Sequence, residues 1–293
     1  MSRFEKLDEA LTSLKSALTW ERQEKKPTVA VVLGSGLGAF VETLKHVVLV
    51  DYDKVKGMPP PTVAGHGGKW ALGVTQADNP VLVAMGRYHY YEGHSSAVVT
   101  LPVQLMKGLG IQHIIMTNAT GSVNPQYRPG EYMLIRDHIN LMGRSPLEGL
   151  FGRSENVPFI DMSQAYDLPT IERIYETLQT SKLGTRVHSG VYCGVLGPQF
   201  ETPSEIQMIA RMGGDVVGMS TVPEVIMARY LGMKVNGVSS ITNYGSGLGT
   251  SPLSHDDVTV FGRTTAVQFS SLVNLMIDIA YKYRHGVRGK SLP

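Results

Sequence analysis

The chain has 293 residues, of which 42% are hydrophobic and 18% are charged, and it carries a formal net charge of +2. These values are ordinary for a globular protein with a sizeable core, and so small a net charge gives no reason to expect nucleic acid as a partner. No apolar run approaches the roughly 18 residues that a membrane-spanning helix needs, so no membrane partner is expected.

The chain has a single cysteine, Cys193. It can therefore form no intrachain disulfide and no cysteine metal cluster, which suits a reducing cytosol. The N-terminal residues show no signal-peptide pattern, so we expect a cytoplasmic protein. Within residues 1–26, four leucines between Leu7 and Leu18 recur at helical spacing, which predicts an amphipathic helix packed on the body of the protein.

The remaining predicted elements alternate between strands and helices. Strands are predicted over residues 28–33, 47–51, 70–74, 81–85, 111–116, 131–135, 187–196, 215–218 and 235–242, and helices over 101–109, 168–183 and 264–283. Two capping boxes, Thr202 to Glu205 and Thr221 to Glu224, predict two further helix starts. Residues 143–159 are predicted to form a long irregular excursion. This order predicts an α/β fold, a single domain over 1–293 with a central mixed sheet flanked by helices.

A glycine-rich turn follows the strand predicted over residues 28–33. Gly34 to Ala39 fits the pattern G-x-G-x-x-A, and Asp51 ends the next strand, as in dinucleotide-binding proteins. The helix after Ala39 is predicted to be very short, however, and Ser35 adds a hydroxyl that suits one compact anion. The pattern therefore favours a cradle for a single phosphate over a dinucleotide site or a purely structural turn.

Charged residues follow the strand predicted over residues 81–85. Arg87, His89 and Glu92 come directly after this apolar run, at the kind of sheet edge where α/β proteins bind ligands. The guanidinium group of Arg87 suits phosphate or carboxylate, and Glu92 is close enough along the chain to orient His89. For these three residues alone, a loop with a surface salt bridge remains an alternative.

Eight segments taken together resemble the trimeric purine nucleoside phosphorylases, especially those specific for 6-oxopurines. Each falls at or near the end of a predicted strand, and all occur in the order that the family has. The segments are Val32 to Gly38, Thr62 to His66, Gly86 to Gly93, Thr117 to Ala119, Ile135 to Asn140, Gly197 to Thr202, Gly218 to Val225 and Ile241 to Asn243. The resemblance implies a nucleoside-phosphorylase-like fold whose twisted sheet is partly barrel-like.

The resemblance also implies a reaction. A purine nucleoside and phosphate would be converted reversibly to the free base and ribose 1-phosphate, with phosphate as co-substrate and with no metal or organic cofactor. Cleavage of the glycosidic bond gives the sugar oxocarbenium character, as in glycoside hydrolysis. An anion cradle, a sugar clamp and a base pocket would serve this chemistry.

The site residues that the resemblance implies fall into three groups. Phosphate would bind to Ser35, His66, Arg87, His89, the backbone N–H of Ala119 and Ser220; the ribose to Tyr91, Met219, His255 and Phe159; the base to Phe200, Glu201, Val217, Thr242 and Asn243. The implied catalytic residues are His89, Glu92 and Asn243, with Glu92 acting by orienting His89.

The resemblance further implies a homotrimer with active sites at the subunit interfaces. Phe159 would close the ribose site of the neighbouring subunit, although an ordinary core phenylalanine is the alternative. Glu201 would accept a hydrogen bond from the N1–H that inosine and guanosine have and adenosine lacks. A methylthioinosine or methylthioadenosine phosphorylase, a non-catalytic nucleoside-binding protein and an NAD-dependent oxidoreductase remain alternatives.

Overall fold

The computed structural model of this chain describes residues 3–60, 62–63, 67–150, 159–181, 183–249 and 265–283. Its strands are β1 Val29–Val32, β2 Lys45–Asp51, β3 Lys69–Val74, β4 Pro80–Met85, β5 His113–Ser122, β6 Tyr132–Asn140, β7 Val187–Gly194, β8 Val216–Gly218 and β9 Lys234–Tyr244. Its α-helices are α1 Arg3–Ala17, α2 Ser96–Val99, α3 Leu101–Gly108, α4 Leu168–Leu178, α5 Pro203–Arg211, α6 Val222–Tyr230 and α7 Ala266–Lys282.

The sheet is mixed and partly closed. In the described residues the strand order is β2-β3-β4-β1-β5-β8-β7-β6-β9, and β5 also pairs with β9. The ring from β5 through β8, β7, β6 and β9 back to β5 is a small barrel, and β1, β4, β3 and β2 extend from it as an open sheet. The predicted α/β fold with a partly barrel-like mixed sheet is therefore confirmed.

Four strands point the same way and set the position of the site. β1 is parallel to β4 and to β5, and β5 is parallel to β9. Their carboxyl ends therefore lie at one edge of the sheet, where α/β proteins bind their ligands. Helix α7 packs against α4, β1 and β5, while α6 packs against α3 and β9, so helices cover the sheet and bury its apolar side chains.

Helix α1 lies against α3, as the leucine spacing predicted. Leu14 and Leu18 are fully buried, and Leu11 lies so close to Gly108 that a Cβ atom there would be 2.7 Å from its Cδ2 atom. Glycine at residue 108 thus permits the close approach of the two helices. In the described residues no helix has both the length and the apolar character to cross a membrane.

Two predicted strands are longer in the structure than the sequence indicated. The strands expected to end at Met116 and Ile135 continue to Ser122 and Asn140. Their polar ends remain in strand conformation because they are paired with β9 and β7, which satisfies their backbone groups inside the barrel. The helix predicted over 168–183 ends at Leu178, where the hydroxyl of Ser181 donates to the Leu178 carbonyl and caps the last turn.

Candidate active site

One cavity gathers most of the predicted site residues. It lies between the carboxyl ends of β1, β4, β5 and β9 and the segment that follows β8. Twelve of the predicted residues line it, namely Ser35, Arg87, His89, Tyr91, Ala119, Phe200, Glu201, Val217, Met219, Ser220, Thr242 and Asn243. Residues more than 150 positions apart in the chain therefore share one small space.

The turn after β1 is held tightly against β5. The N–H of Gly34 donates to the hydroxyl of Thr117 at 3.1 Å, and a Cβ atom on Gly34 would lie 2.8 Å from the Cα atom of Asn118. Only glycine allows this approach. A short 3₁₀ helix, Gly38–Thr43, follows, where the dinucleotide fingerprint requires an α-helix. The turn therefore lacks the context of a dinucleotide site.

Arg87 forms a buried ion pair, not the surface salt bridge that was the alternative for its segment. Its Nε atom lies 3.0 Å from the carboxylate of Glu224, and Nη1 donates to the Thr117 carbonyl at 2.6 Å. The side chains of Arg87 and Glu224 are 1% and 2% exposed. A buried arginine that lines a cavity places a fixed positive charge there.

The carboxylate of Glu92 lies against His89. Oε1 of Glu92 is 2.8 Å from Nδ1 of His89 and accepts the His89 backbone N–H at 2.7 Å. Its other oxygen accepts hydrogen bonds from the hydroxyl and the N–H of Thr62. Burial favours the neutral acid, but the hydrogen bonds from His89 and Thr62 outweigh it and lower the pKa of Glu92 to about 2.

Burial favours the neutral form of the His89 ring. Burial lowers its pKa, although the hydrogen bond with Glu92 opposes that shift. Because the carboxylate of Glu92 accepts the proton on Nδ1, the remaining ring nitrogen, Nε2, is a hydrogen-bond acceptor. The ring also stacks on that of Tyr91, with centroids 4.6 Å apart, so two neighbours fix its orientation.

The buried histidines predict a loss of stability on mild acidification. Burial lowers the pKa of His89, His113 and His138 below the usual value of 6.5. Just below pH 6.5 the unfolded chain therefore binds protons that the folded chain does not, so folding weakens as the pH falls. The slope for each such group is at most about 1.4 kcal/mol per pH unit.

Denaturant unfolding at intervals between pH 7.5 and 5 would measure this slope. The variant His113→Gln is the matched control, because an amide donor can replace the ring nitrogen that lies 2.7 Å from the side-chain oxygen of Asn236. Its free energy of unfolding should depend less on pH than that of the unmodified chain. A free energy of unfolding that stays level or rises on acidification to pH 5 would contradict the expectation.

Met219 and Tyr91 meet beside the loop after β7. A Cβ atom on Gly197 would lie 2.4 Å from the sulfur of Met219 and 3.2 Å from the ring of Tyr91. Gly197 has a φ of +71°, so both the turn and the space require glycine. Both Met219 and Tyr91 line the cavity.

Thr242 and Asn243 both line the cavity although they are adjacent in a strand. Neighbouring strand residues normally face opposite sides. In β9, however, Ile241 is paired with Thr120 and Asn243 with Gly121, so Thr242 is an extra residue in a β-bulge. The bulge turns both side chains toward the cavity, a common use of bulges near active sites.

The amide of Asn243 is held at both ends. Its Nδ2 atom donates to the Tyr244 carbonyl at 2.9 Å, and its Oδ1 atom accepts from the Thr242 hydroxyl at 2.8 Å. A Cβ atom on Gly121 would lie 3.1 Å from Nδ2, so glycine there leaves room for the amide. The carbonyl of Tyr244 can only accept, which fixes the NH₂ group at its end.

Glu201 and Phe200 also line the cavity. Burial raises the pKa of Glu201, while the side chain of Phe200 is 38% exposed. Glu201 in turn affects Cys193 in β7: burial, and then the charge of Glu201, raise the pKa of this thiol to about 12. The cysteine is thus an unreactive core residue.

Four predicted residues are not among those that line the cavity, and one of them, Glu92, lies against His89. His66 and His255 lie outside the described residues, so the structure does not place them. Phe159 is described, and its side chain is 97% exposed. The alternative that Phe159 is an ordinary core residue is therefore wrong.

Two residues that hold the cavity together were not expected to contribute to it. Glu224 was assigned only to a capping box, and it does accept the N–H of Thr221 at 3.1 Å, but it also pairs with Arg87. Asn118 donates from Nδ2 to the hydroxyl of Thr221 at 2.8 Å. An acidic residue in an otherwise apolar stretch of a buried helix was the signal that could have drawn attention to Glu224.

Comparisons with known proteins agree with this geometry. The family model described as "Phosphorylase superfamily" matches residues 28–278. Purine nucleoside phosphorylase 1 of Geobacillus stearothermophilus is 42% identical over 259 residues, which is 88% of this chain and 93% of that protein. Purine nucleoside phosphorylase of Bos taurus is 38% identical over 262 residues, 87% of this chain and 89% of that protein.

Solved structures give the same result. Schistosoma purine nucleoside phosphorylase in complex with hypoxanthine has a TM-score of 0.83 and 31% identity, covering 94% of this chain and 96% of its own. The Schistosoma mansoni enzyme in complex with adenosine has a TM-score of 0.84 and 30% identity, covering 98% of each chain. The chain therefore belongs to the phosphorylase superfamily and, within it, to the purine nucleoside phosphorylases.

Proposed function

We propose that this chain catalyses the reversible phosphorolysis of purine nucleosides, with inosine, guanosine and their deoxy forms as preferred substrates. The products are the free base and ribose or deoxyribose 1-phosphate, and the proposed role of the reaction is purine salvage. One observation carries the proposal: a single cavity is lined by a buried cation, Arg87, by the carboxyl-amide pair Glu201 and Asn243, and by Tyr91 and Met219.

In the proposed mechanism the phosphate dianion lies beneath the anomeric carbon of the sugar. Arg87 supplies the fixed charge, Ser35 and Ser220 supply hydroxyl groups, and the backbone N–H of Ala119 supplies a further donor. The dianion favours protonation of His89, which then donates from Nε2, while Glu92 retains the proton on Nδ1. The bound anion stabilises the oxocarbenium-like sugar and then attacks it.

At the base end the proposal assigns recognition of the purine to Glu201 and Asn243. The carboxylate of Glu201 accepts the N1–H of a 6-oxopurine, and Asn243 contacts the edge formed by O6 and N7, with Phe200, Val217 and Thr242 around the ring. Adenosine has no N1–H, so it would leave a buried acceptor without a donor. The raised pKa of Glu201 makes its protonation easier, so discrimination depends on Asn243 as well.

One assay tests the reaction and its substrate range together. Inosine, guanosine, adenosine and the 5′-methylthio analogues of inosine and adenosine are each incubated with and without orthophosphate, and base release is followed. We expect release of hypoxanthine from inosine that requires orthophosphate. Hydrolysis in the absence of phosphate would overturn the proposal. Faster turnover of the methylthio compounds would support a methylthioinosine or methylthioadenosine phosphorylase in its place.

We further propose that the chain is one domain per subunit of a homotrimer and that the active sites lie at the subunit interfaces. The exposed Phe159 supports this, because a phenylalanine that is 97% exposed is typical of a surface that another protein covers. His255 and His66 complete the sugar and phosphate groups in this proposal, which requires no metal or organic cofactor. Light scattering should give three times the mass of one chain; a monomer would contradict it.

A cytoplasmic location is also proposed, supported by the single, buried cysteine.

A further inference from the structure

The backbone makes a strained corner beside the phosphate end of the cavity. Thr221 has φ 68° and ψ −54°, and the N–H of Val222 donates to the carbonyl of Ser220 at 2.7 Å. This is a γ-turn with positive φ, a conformation that is rare and costly for a residue with a side chain. Of the four non-glycine residues with positive φ in the described part of the chain, only Thr221 is buried.

Three side chains from separate elements hold this corner. The amide of Asn118 in β5 donates to the Thr221 hydroxyl at 2.8 Å, and the carboxylate of Glu224 in α6 accepts the Thr221 N–H at 3.1 Å. Tyr192 in β7 makes two contacts: its hydroxyl accepts the N–H of Ser220 at 3.2 Å and donates to the carbonyl of the same residue at 3.3 Å. Strain of this kind persists only where the surroundings fix it in this way.

The room for the Tyr192 hydroxyl is provided by Gly218. A Cβ atom on Gly218 would lie 2.6 Å from the phenolic oxygen, and Tyr192 itself is fully buried. The N–H of Ser220 already donates to the hydroxyl of Tyr192. An anion in the cavity can therefore bind Ser220 only through its side-chain hydroxyl. The orientation of the Ser220 hydroxyl therefore depends on how strongly the backbone at Ser220 and Thr221 is restrained.

We propose that Tyr192 is a positioning residue for the phosphate end of the cavity, acting by clamping both backbone groups of Ser220 against the strained turn at Thr221. It contacts no substrate. The inference rests on the proposed phosphorolysis, since it concerns the same site. Loss of the phenolic oxygen leaves Ser220 without this clamp, so the hydroxyl of Ser220 no longer meets the anion in a fixed geometry.

The test compares Tyr192→Phe with Tyr132→Phe. Tyr132 is a matched control because it is also fully buried in a strand and its hydroxyl donates to a backbone carbonyl, that of Thr265, at 3.1 Å. In Tyr192→Phe we expect the KM for orthophosphate to rise about 10-fold while the KM for inosine changes less than about twofold. In Tyr132→Phe both KM values should stay within about twofold of the unmodified enzyme.

Thermal unfolding with and without orthophosphate gives a second readout that needs no turnover. Orthophosphate should raise the melting temperature of the unmodified chain and of Tyr132→Phe, and should raise that of Tyr192→Phe much less. An unmodified chain that neither requires orthophosphate nor is stabilised by it would overturn the proposed function. If the unmodified chain both requires orthophosphate and is stabilised by it, and Tyr192→Phe shows the same requirement and the same stabilisation, the positioning role alone is overturned.

If Tyr192→Phe does not fold, Thr221→Gly and Thr221→Ala test the same idea. Both lack the hydroxyl, but only glycine adopts a φ of 68° without strain. The glycine variant should therefore melt at a higher temperature than the alanine variant, yet have the higher KM for orthophosphate, because its corner is looser. If Tyr192 had only a structural role, stability and phosphate binding would change together. A KM for orthophosphate in the glycine variant equal to or below that in the alanine variant overturns the proposal.

Discussion

Arg87→Ala is expected to raise the KM for orthophosphate about 100-fold, because the proposed phosphate site loses a charge-assisted partner. The KM for inosine should change far less. The same substitution should lower the free energy of unfolding by about 3–5 kcal/mol, since it leaves the carboxylate of Glu224 buried without its cation. Steady-state kinetics with each substrate varied, and urea unfolding, would measure the two effects separately.

Two further variants separate these effects. The double variant Arg87→Met/Glu224→Gln removes the unpaired charge, so it should recover much of the stability while phosphate binding stays weak. Lys69→Ala breaks a pair with Asp51 that is 2.8 Å long but about half exposed. It should therefore change the free energy of unfolding little and leave both KM values unchanged. Equal rises in both KM values for Arg87→Ala would refute a phosphate-specific role for this residue.

The location of the cavity could be predicted because it depends on strand ends. Ser35 follows β1, Arg87 follows β4 and Asn243 lies near the end of β9, three strands that run in the same direction. The carboxyl ends of such strands meet at one edge, so the polar residues that follow the apolar runs at β1 and β4 pointed to that edge. Asn243 was added to the site by the resemblance to a family.

The buried partner of Arg87 could not be predicted in the same way. Glu224 lies 137 residues further along the chain, and its position in a capping box already explained it locally. A local explanation does not exclude a second role, because a carboxylate can accept several hydrogen bonds. In the structure one oxygen of Glu224 accepts the N–H of Thr221 while the group also neutralises the guanidinium of Arg87.

The orientation of Thr242 also lies beyond what the sequence can give. Alternation along a strand would place Thr242 and Asn243 on opposite faces, yet the resemblance to a family assigned both to the base pocket. The bulge that reconciles these statements depends on the register between β9 and β5, and register is a property of two strands. Phe159 poses a similar problem, because the exposure of a side chain depends on the whole fold and not on its neighbours in the sequence.

Asn243→Asp is expected to change the preferred purine. In the proposed complex Asn243 faces the six-position of the base, and the Tyr244 carbonyl, 2.9 Å away, holds its donor end. An aspartate would bring a second oxygen to that carbonyl, which raises the pKa of the new carboxyl group and favours its protonated form. We expect kcat/KM for inosine to fall roughly 100-fold and the ratio of adenosine to inosine turnover to rise at least about 10-fold.

The pH dependence of this variant separates a change in recognition from general damage. If the protonated carboxyl group is the form that accepts adenosine, turnover of adenosine should decline as the pH rises through the pKa of residue 243, while the unmodified enzyme shows no such decline. Asn274→Asp, an equivalent change in α7 beside Thr43, should leave the substrate ratio as it was. An unchanged ratio in Asn243→Asp, with the same pH profile as the unmodified enzyme, would mean that the six-position of the purine does not face residue 243.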